Sequence, residues 1–233
     1  MLRLRPSMPD MPLAANLLEG LLLCGGRSSR MGRDKAELRL EGGSLLARGL
    51  ACLDQVVVRV SLACGPCERY REYGRPLVLD AIEDGGPLAG LLAGLEAARA
   101  ERVALLAVDM PAVPSALYVA LHERALRADL CVAMLSGPDG DEPLCSIVHR
   151  RCAPAVRRAL QAGERRMVSF HADRVGRPLR VGRFTPAELL GGGATAQGLG
   201  ARSGDPLGPA RNVNTPDEWR AWVERAERVE TLR

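Results

Sequence analysis

The chain has 233 residues, 47% hydrophobic and 26% charged, the composition of a folded globular domain, and no apolar run approaches the roughly 20 residues of a membrane span. A formal net charge of +4 with only 3% aromatic residues gives no basic stripe interleaved with aromatics; this argues against a nucleic-acid partner and suits anionic small molecules. Seven scattered cysteines, an odd number, fit reduced thiols in a cytoplasmic protein better than a disulfide framework.

Residues 1–16 carry basic residues, but prolines and an acid stand where a signal peptide needs an apolar core, so they read as a flexible leader. Residues 17–233 read as one domain. Short apolar runs at 18–24, 56–62, 77–79, 103–108 and 130–135 predict buried strands. Between them, 45–53, 67–73, 88–99 and 115–127 space apolar residues three and four apart and predict helices. A further strand is expected at 144–149 and a helix at 152–161. This alternation predicts an α/β domain, mostly parallel, in three αβα layers of the Rossmann-like kind. From about 187 to 210 the chain is rich in glycine with little to bury, and a flexible surface insert is expected there. Beyond it, Thr215 as N-cap, Pro216 at the first helical position and Asp217 and Glu218 in the first turn predict a last helix. Trp219 and Trp222, three apart on that helix, are expected to pack rather than to bind.

In an open parallel sheet, ligands bind at the carboxyl ends of the strands. Three features fall at such ends. LCGGRSSRMGRDK, residues 23–35, follows the first strand; Asp80 closes PLVLD; Asp109 closes VALLAVD. Gly25 and Gly26 lack side chains, so their amides can approach a ligand closely. Arg30 offers phosphate oxygens a planar fork, and Lys35 a mobile point charge. Mg²⁺ takes oxygen ligands, often one or two carboxylates together with substrate phosphates, which makes Asp80 and Asp109 candidates. An anion loop facing two carboxylates suits a metal–polyphosphate complex. No Gly-Lys-Ser/Thr follows, so this is not a Walker A loop. Leu23 and Met31 are expected to pack under the loop.

The segment at 23–35 resembles the L-x-G-G-x-S-x-R-M-G-x-D-K signature of molybdenum cofactor guanylyltransferases. Further matches follow in the same order: GPLAGLLAGLEAA from Gly86, DMP from Asp109, LQAGERR from Leu160 and NVNTPDEW from Asn212. The resemblance implies a nucleotidyltransferase fold, a Mg²⁺ requirement, and transfer of GMP from GTP to the molybdopterin cofactor with release of pyrophosphate. Carried over by position, Leu23, Cys24, Gly25 and Gly26 would meet the guanine nucleotide, Lys35 its phosphates, and Asp80 the nucleotide again. Asp109 would bind both nucleotide and Mg²⁺, and Arg30, Lys35 and Asp109 would be the catalytic set. Asn212 and Asn214 resemble a late motif on the acceptor side, and Glu142 would line the acceptor pocket by analogy. Molybdoenzymes or their chaperones would be protein partners. Two departures stand out: Cys24 replaces a small Ala, and after the second strand an Asn that often meets the nucleotide is missing or replaced by Ser61.

The terminal phosphate of a pterin cofactor is already a nucleophile, so alignment and charge neutralisation would suffice without a strong general base. His122, His149 and His171 lack ligand spacing and read as packing or surface residues. CGPC at 64–67 has the setting of a thioredoxin-like pair, yet no Trp precedes it, and a turn opening a helix is the better reading. A cytidylyltransferase acting on the same pterin, where the loop typically reads L-A-A-G, is the nearest rival; Gly25 favours guanine. A non-catalytic protein that binds and delivers the pterin cofactor is the alternative of another class.

Overall fold

Leu18–Leu23, the LEGLLL run, is buried at all six positions, as a strand covered on both faces must be. In the computed structural model it is β1, the third strand of a seven-stranded sheet ordered β5-β4-β1-β6-β8-β7-β9. Residues 18–25, 34–40, 43–80, 82, 84–137, 140–173, 175, 178–190 and 219 are described. In chain order these give β1 (Leu18–Leu23), β2 (Arg39–Leu40), β3 (Gly43–Ser44), α1 (Leu45–Asp54), β4 (Val60–Ala63), β5 (Leu77–Val78), α2 (Gly86–Ala97), β6 (Arg102–Ala107), α3 (Ser115–Arg127), β7 (Val132–Gly137), β8 (Gly140–His149), α4 (Ala153–Gln161), β9 (Val181–Phe184) and α5 (Pro186–Leu190).

The strands β5, β4, β1 and β6 are mutually parallel, while β8 runs antiparallel to both β6 and β7. The expected mostly parallel αβα sandwich is therefore present. Strand side chains alternate between its two layers. Leu22, Ala104 and Leu106 join Leu45, Leu46, Leu117 and Leu121 of α1 and α3 on one face. Leu21, Leu23, Val103 and Leu105 join Leu88, Leu91, Leu95 and Val156 of α2 and α4 on the other. Each such leucine removed from water contributes about 1.5–3 kcal/mol. On the second face α2 lies very close to β1: a Cβ on Gly94 would stand 2.2 Å from Leu21 Cδ2. The small residues of GPLAGLLAG thus let helix and strand touch.

Four expectations need correction. The second strand starts at Val60, not Val56, because Val56 and Val57 still donate to Leu53 O as the last turn of α1 unwinds, and Val58 is exposed. The helix expected at 67–73 shrinks to a 3-10 turn at Arg71–Tyr73, bounded by left-handed Tyr70 and Gly74. The glycine-rich insert begins later than 187, since α5 occupies Pro186–Leu190 and packs on α3; the remainder of 191–210 lies outside the described residues. Strand β9 was not foreseen: only Val181 and Phe184 of its four residues are apolar, and parallel pairing to β7 makes it an edge. The leader at 1–16 and the helix from Thr215 lie outside the described residues apart from Trp219, which packs on the face shared with α1 and α3.

Candidate active site

The order β5-β4-β1-β6 creates a switch point, because the chain leaves β1 for β4 and β5 on one side and returns to β6 on the other. Crevices outside the strand ends at such points bind ligands. The carboxyl ends of these four strands carry Cys24 and Gly25 after β1, Cys64 and Gly65 after β4, Asp80 after β5 and Asp109 after β6.

Lys35 reaches this crevice from a short 3-10 turn, Lys35–Glu37. Asp34 caps that turn by accepting from Ala36 N at 3.1 Å, and Ala36 is fully buried, so the turn is pinned from both sides. Lys35 Nζ then stands 3.7 Å from Asp109 Oδ2, across the switch point. Asp109 Oδ1 is buried and has no hydrogen-bond partner among the described residues. Burial raises the Asp109 carboxyl above its ordinary value, against the pull of the Lys35 ammonium.

Asp80 is held at the other end of the rim. Its amide donates to Gly65 O at 3.0 Å, and its Oδ1, beside Gly90 of α2, is likewise buried without a hydrogen-bond partner among the described residues. Burial raises this carboxyl too. Strands β4 and β1 separate β5 from β6, about 14 Å of sheet at the usual strand spacing. Asp80 and Asp109 thus rise from strands that are not neighbours, at two points of one rim.

Gly25 joins the two halves. Cys24 N and Gly25 N both donate to Ala63 O, at 3.0 and 2.8 Å, which ties the exit of β1 to β4. A Cβ on Gly25 would stand 2.4 Å from Gly65 N and 2.7 Å from the carbonyl carbon of Cys64. The glycine is therefore required by a neighbouring backbone, whatever the ligand. Leu23 is buried under the rim beside Gly90, as expected for a packing residue. Cys24 is buried with its thiol 3.8 Å from that of Cys64. The Cys24 hydrogen bond draws the Cys64 thiol down to about 7 against the effect of burial.

CGPC is not a facing thiol pair. Cys64 is buried toward Cys24, whereas Cys67 is exposed in a turn with no helix after it. Ser61 also fails as a replacement for the missing Asn: it lies inside β4 opposite Leu21, two residues short of the rim. Glu142 sits on β8 three residues beyond Cys145, whose partner on β6 is Leu106, so it extends past the end of β6 on the Asp109 side. His149 accepts from Arg151 N, and burial pushes it down to about 4; His171 is depressed likewise, again to about 4. Both are neutral packing residues at neutral pH. Gly26, Arg30, Met31, Asn212, Asn214 and Trp222 lie outside the described residues.

Sequence reasoning missed the support of Lys35. Tyr70 Oη donates to Asp34 Oδ2 at 2.7 Å, and Arg69 Nη1 donates to the same oxygen at 3.3 Å. The only signal was an unassigned acid immediately before the lysine.

Among the described residues no group of three or more His, Cys, Asp or Glu could hold a metal. The orphaned Asp109 Oδ1 is the oxygen that fits one. No helix among the described residues is long and apolar enough to cross a membrane.

Residues 20–175 match the MobA-like NTP transferase domain. A curated relative from Opitutus terrae, named probable molybdenum cofactor guanylyltransferase, is 39% identical over 162 residues, which span 68% of this chain and 79% of that protein. In fold, the chain is similar to molybdopterin-guanine dinucleotide biosynthesis protein A from Archaeoglobus fulgidus, with a TM-score of 0.71 and 22% identity over 90% of this chain and 99% of that one. A Mycobacterium tuberculosis protein solved in complex with manganese shares the fold at a TM-score of 0.56 and 18% identity, covering 91% of this chain and 98% of its own.

Proposed function

Since the chain belongs to the MobA-like NTP transferase family, we propose that it transfers GMP from GTP to the molybdopterin cofactor, with Mg²⁺ as the metal and pyrophosphate as the leaving group. The observation that carries this reading is the Lys35–Asp109 pair across the switch point, with a second buried carboxylate, Asp80, further along the same rim. An extended anion with a charged triphosphate at one end and a polar base at the other matches that layout.

In this reading Lys35 meets the triphosphate and steadies the negative charge that builds as pyrophosphate departs. Asp109 would hold the divalent ion through its buried carboxylate, while its Oδ2 keeps Lys35 within reach. The ion, when bound, neutralises phosphate charge. Asp80 accepts hydrogen bonds from the nucleoside, and Leu23, Cys24 and Gly25 form the floor beneath it. Glu142 is placed for the acceptor beyond β6. The attacking group is a phosphate oxygen of the pterin cofactor, already anionic, so these residues need only align the two substrates. That agrees with His149, which is held neutral by burial opposite Arg102 at the other end of β6.

The test is competition. GTP and CTP are mixed with the protein, molybdopterin cofactor and Mg²⁺, and the dinucleotide formed is identified. A guanine dinucleotide with stoichiometric pyrophosphate is the expected result. A cytosine product would reassign the base, and tight pterin binding with no pyrophosphate would leave a delivery protein.

A further inference from the structure

The loop after β4 touches the chain on both sides of the glycine segment. At one end Gly65 abuts Gly25. At the other, Arg69 and Tyr70 converge on the carboxylate of Asp34. This loop is itself braced, because Cys64 Sγ donates to Arg69 O and Arg69 Nη2 donates to Cys64 O, both at 3.4 Å. Tyr70 is 5% exposed and adopts a left-handed backbone, φ 65°, which a bulky residue rarely holds without a reason. Its ring lies under the Arg69 guanidinium at 5.2 Å. The hydroxyl aims at Asp34 Oδ2. Asp34 uses its other oxygen to cap the turn that begins with Lys35.

We propose that Tyr70 and Arg69 are positioning residues that act through Asp34 to hold Lys35 against Asp109 and the triphosphate. The inference rests on the reading that Lys35 meets the nucleotide phosphates. Two donors on Asp34 Oδ2 fix the carboxylate, the fixed carboxylate orients Ala36 N, and the turn then presents Lys35 from one direction only. Without the hydroxyl, Asp34 Oδ2 keeps one donor, and the lysine samples orientations that miss the substrate. The CGPC segment thereby has a part to play without redox chemistry: its turn carries the chain from the rim to Arg69 and Tyr70.

A double-mutant cycle on the full chain tests this, with kcat and KM for GTP read by pyrophosphate release in the presence of Mg²⁺ and molybdopterin cofactor. Tyr70→Phe removes one oxygen and keeps the ring, so its melting temperature serves as the folding control. It is expected to lower kcat by about three- to tenfold, the effect of one hydrogen bond. In a Lys35→Ala background the same change is expected to cost less than about twofold, because the residue through which it acts is gone. Arg69→Gln should follow the same pattern, and Arg69→Lys should recover much of the loss. Equal factors in both backgrounds, or a silent Tyr70→Phe in a protein that needs Lys35, would overturn the inference alone. A silent Lys35→Ala would instead remove the lysine from the phosphate site, and the positioning claim with it. If CTP proves to be the nucleotide turned over, the cycle is read on CTP with the same expectations.

Discussion

Lys35 and Asp109 face each other at 3.7 Å from opposite sides of the sheet's switch point, one carried by a capped turn after β1 and the other by the end of β6. Their side chains are 18% and 20% exposed, so the pair is partly desolvated yet open to a ligand. Oδ2 faces the lysine, and Oδ1 has no hydrogen-bond partner among the described residues.

Removing the lysine should weaken nucleotide use at its charged end. A hydrogen bond to a charged group is worth about 1.5–3 kcal/mol. Lys35→Ala is therefore expected to reduce kcat/KM for GTP by more than about tenfold. Unchanged steady-state constants would contradict the assignment.

Asp109→Asn keeps the shape of the side chain but removes the charge that would hold a divalent ion. Turnover is expected to fall by about a hundredfold or more, since metal-assisted charge neutralisation is worth several kcal/mol. Circular dichroism should show an intact fold. Near-normal activity at saturating Mg²⁺ would take Asp109 out of the metal site.

Asp80 gives a prediction in pH. Burial raises its carboxyl above the ordinary 3.8, so the folded chain keeps that proton to a higher pH than the unfolded chain does. Between the two values the folded state binds more protons, and stability falls as pH rises. Above both values the penalty is complete; below both it vanishes. Unliganded Asp80→Asn is therefore expected to melt higher than the wild type at pH 7, with the gap closing as pH drops to about 3. Calorimetric scans across that range would check it, and a variant that melts lower at pH 7 would mean Asp80 Oδ1 is stabilised by its surroundings. Nucleotide binding by the same variant should weaken.

These four positions were unequally legible in the sequence. Strand-end logic found Asp80 and Asp109, because an acid that ends a fully apolar run has few places to go but the rim. It found Lys35 through its density of neighbouring donors. It could not find Tyr70, which is 36 residues from Asp34 and meets it only through a left-handed turn that reads locally as helix. For the same reason the helix at 67–73 was overestimated: spacing of apolar residues records which side is buried, and Tyr70 is buried for a tertiary contact. The start of β4 was misplaced by Val56-Val57-Val58, whose β-branched character suits a strand, although Val56 and Val57 donate to Leu53 O at the end of α1. The parallel core was legible because a strand covered on both faces tolerates nothing but apolar residues, whereas β9 at the edge is under no such demand.

Gly25 separates two explanations of one residue. The sequence-level argument links glycine here to guanine, since an alanine stands at this point in the cytidylyl pattern. The structure supplies a different cause: a methyl group would press into the Gly65 amide and the Cys64 carbonyl carbon at 2.4 and 2.7 Å. Both are backbone atoms of a loop tied down by Arg69 and Asp80, and neither can rotate aside as a side chain would. Overpacking of this kind costs about 1–3 kcal/mol or more. Gly25→Ala is accordingly expected to lower the melting temperature by about 2–12 °C in a chain of this size. Turnover with GTP should fall, and any turnover with CTP should fall by the same factor. A variant that melts like the wild type and shifts its preference toward CTP would show that Gly25 reads the base and that the β4 loop yields to make room.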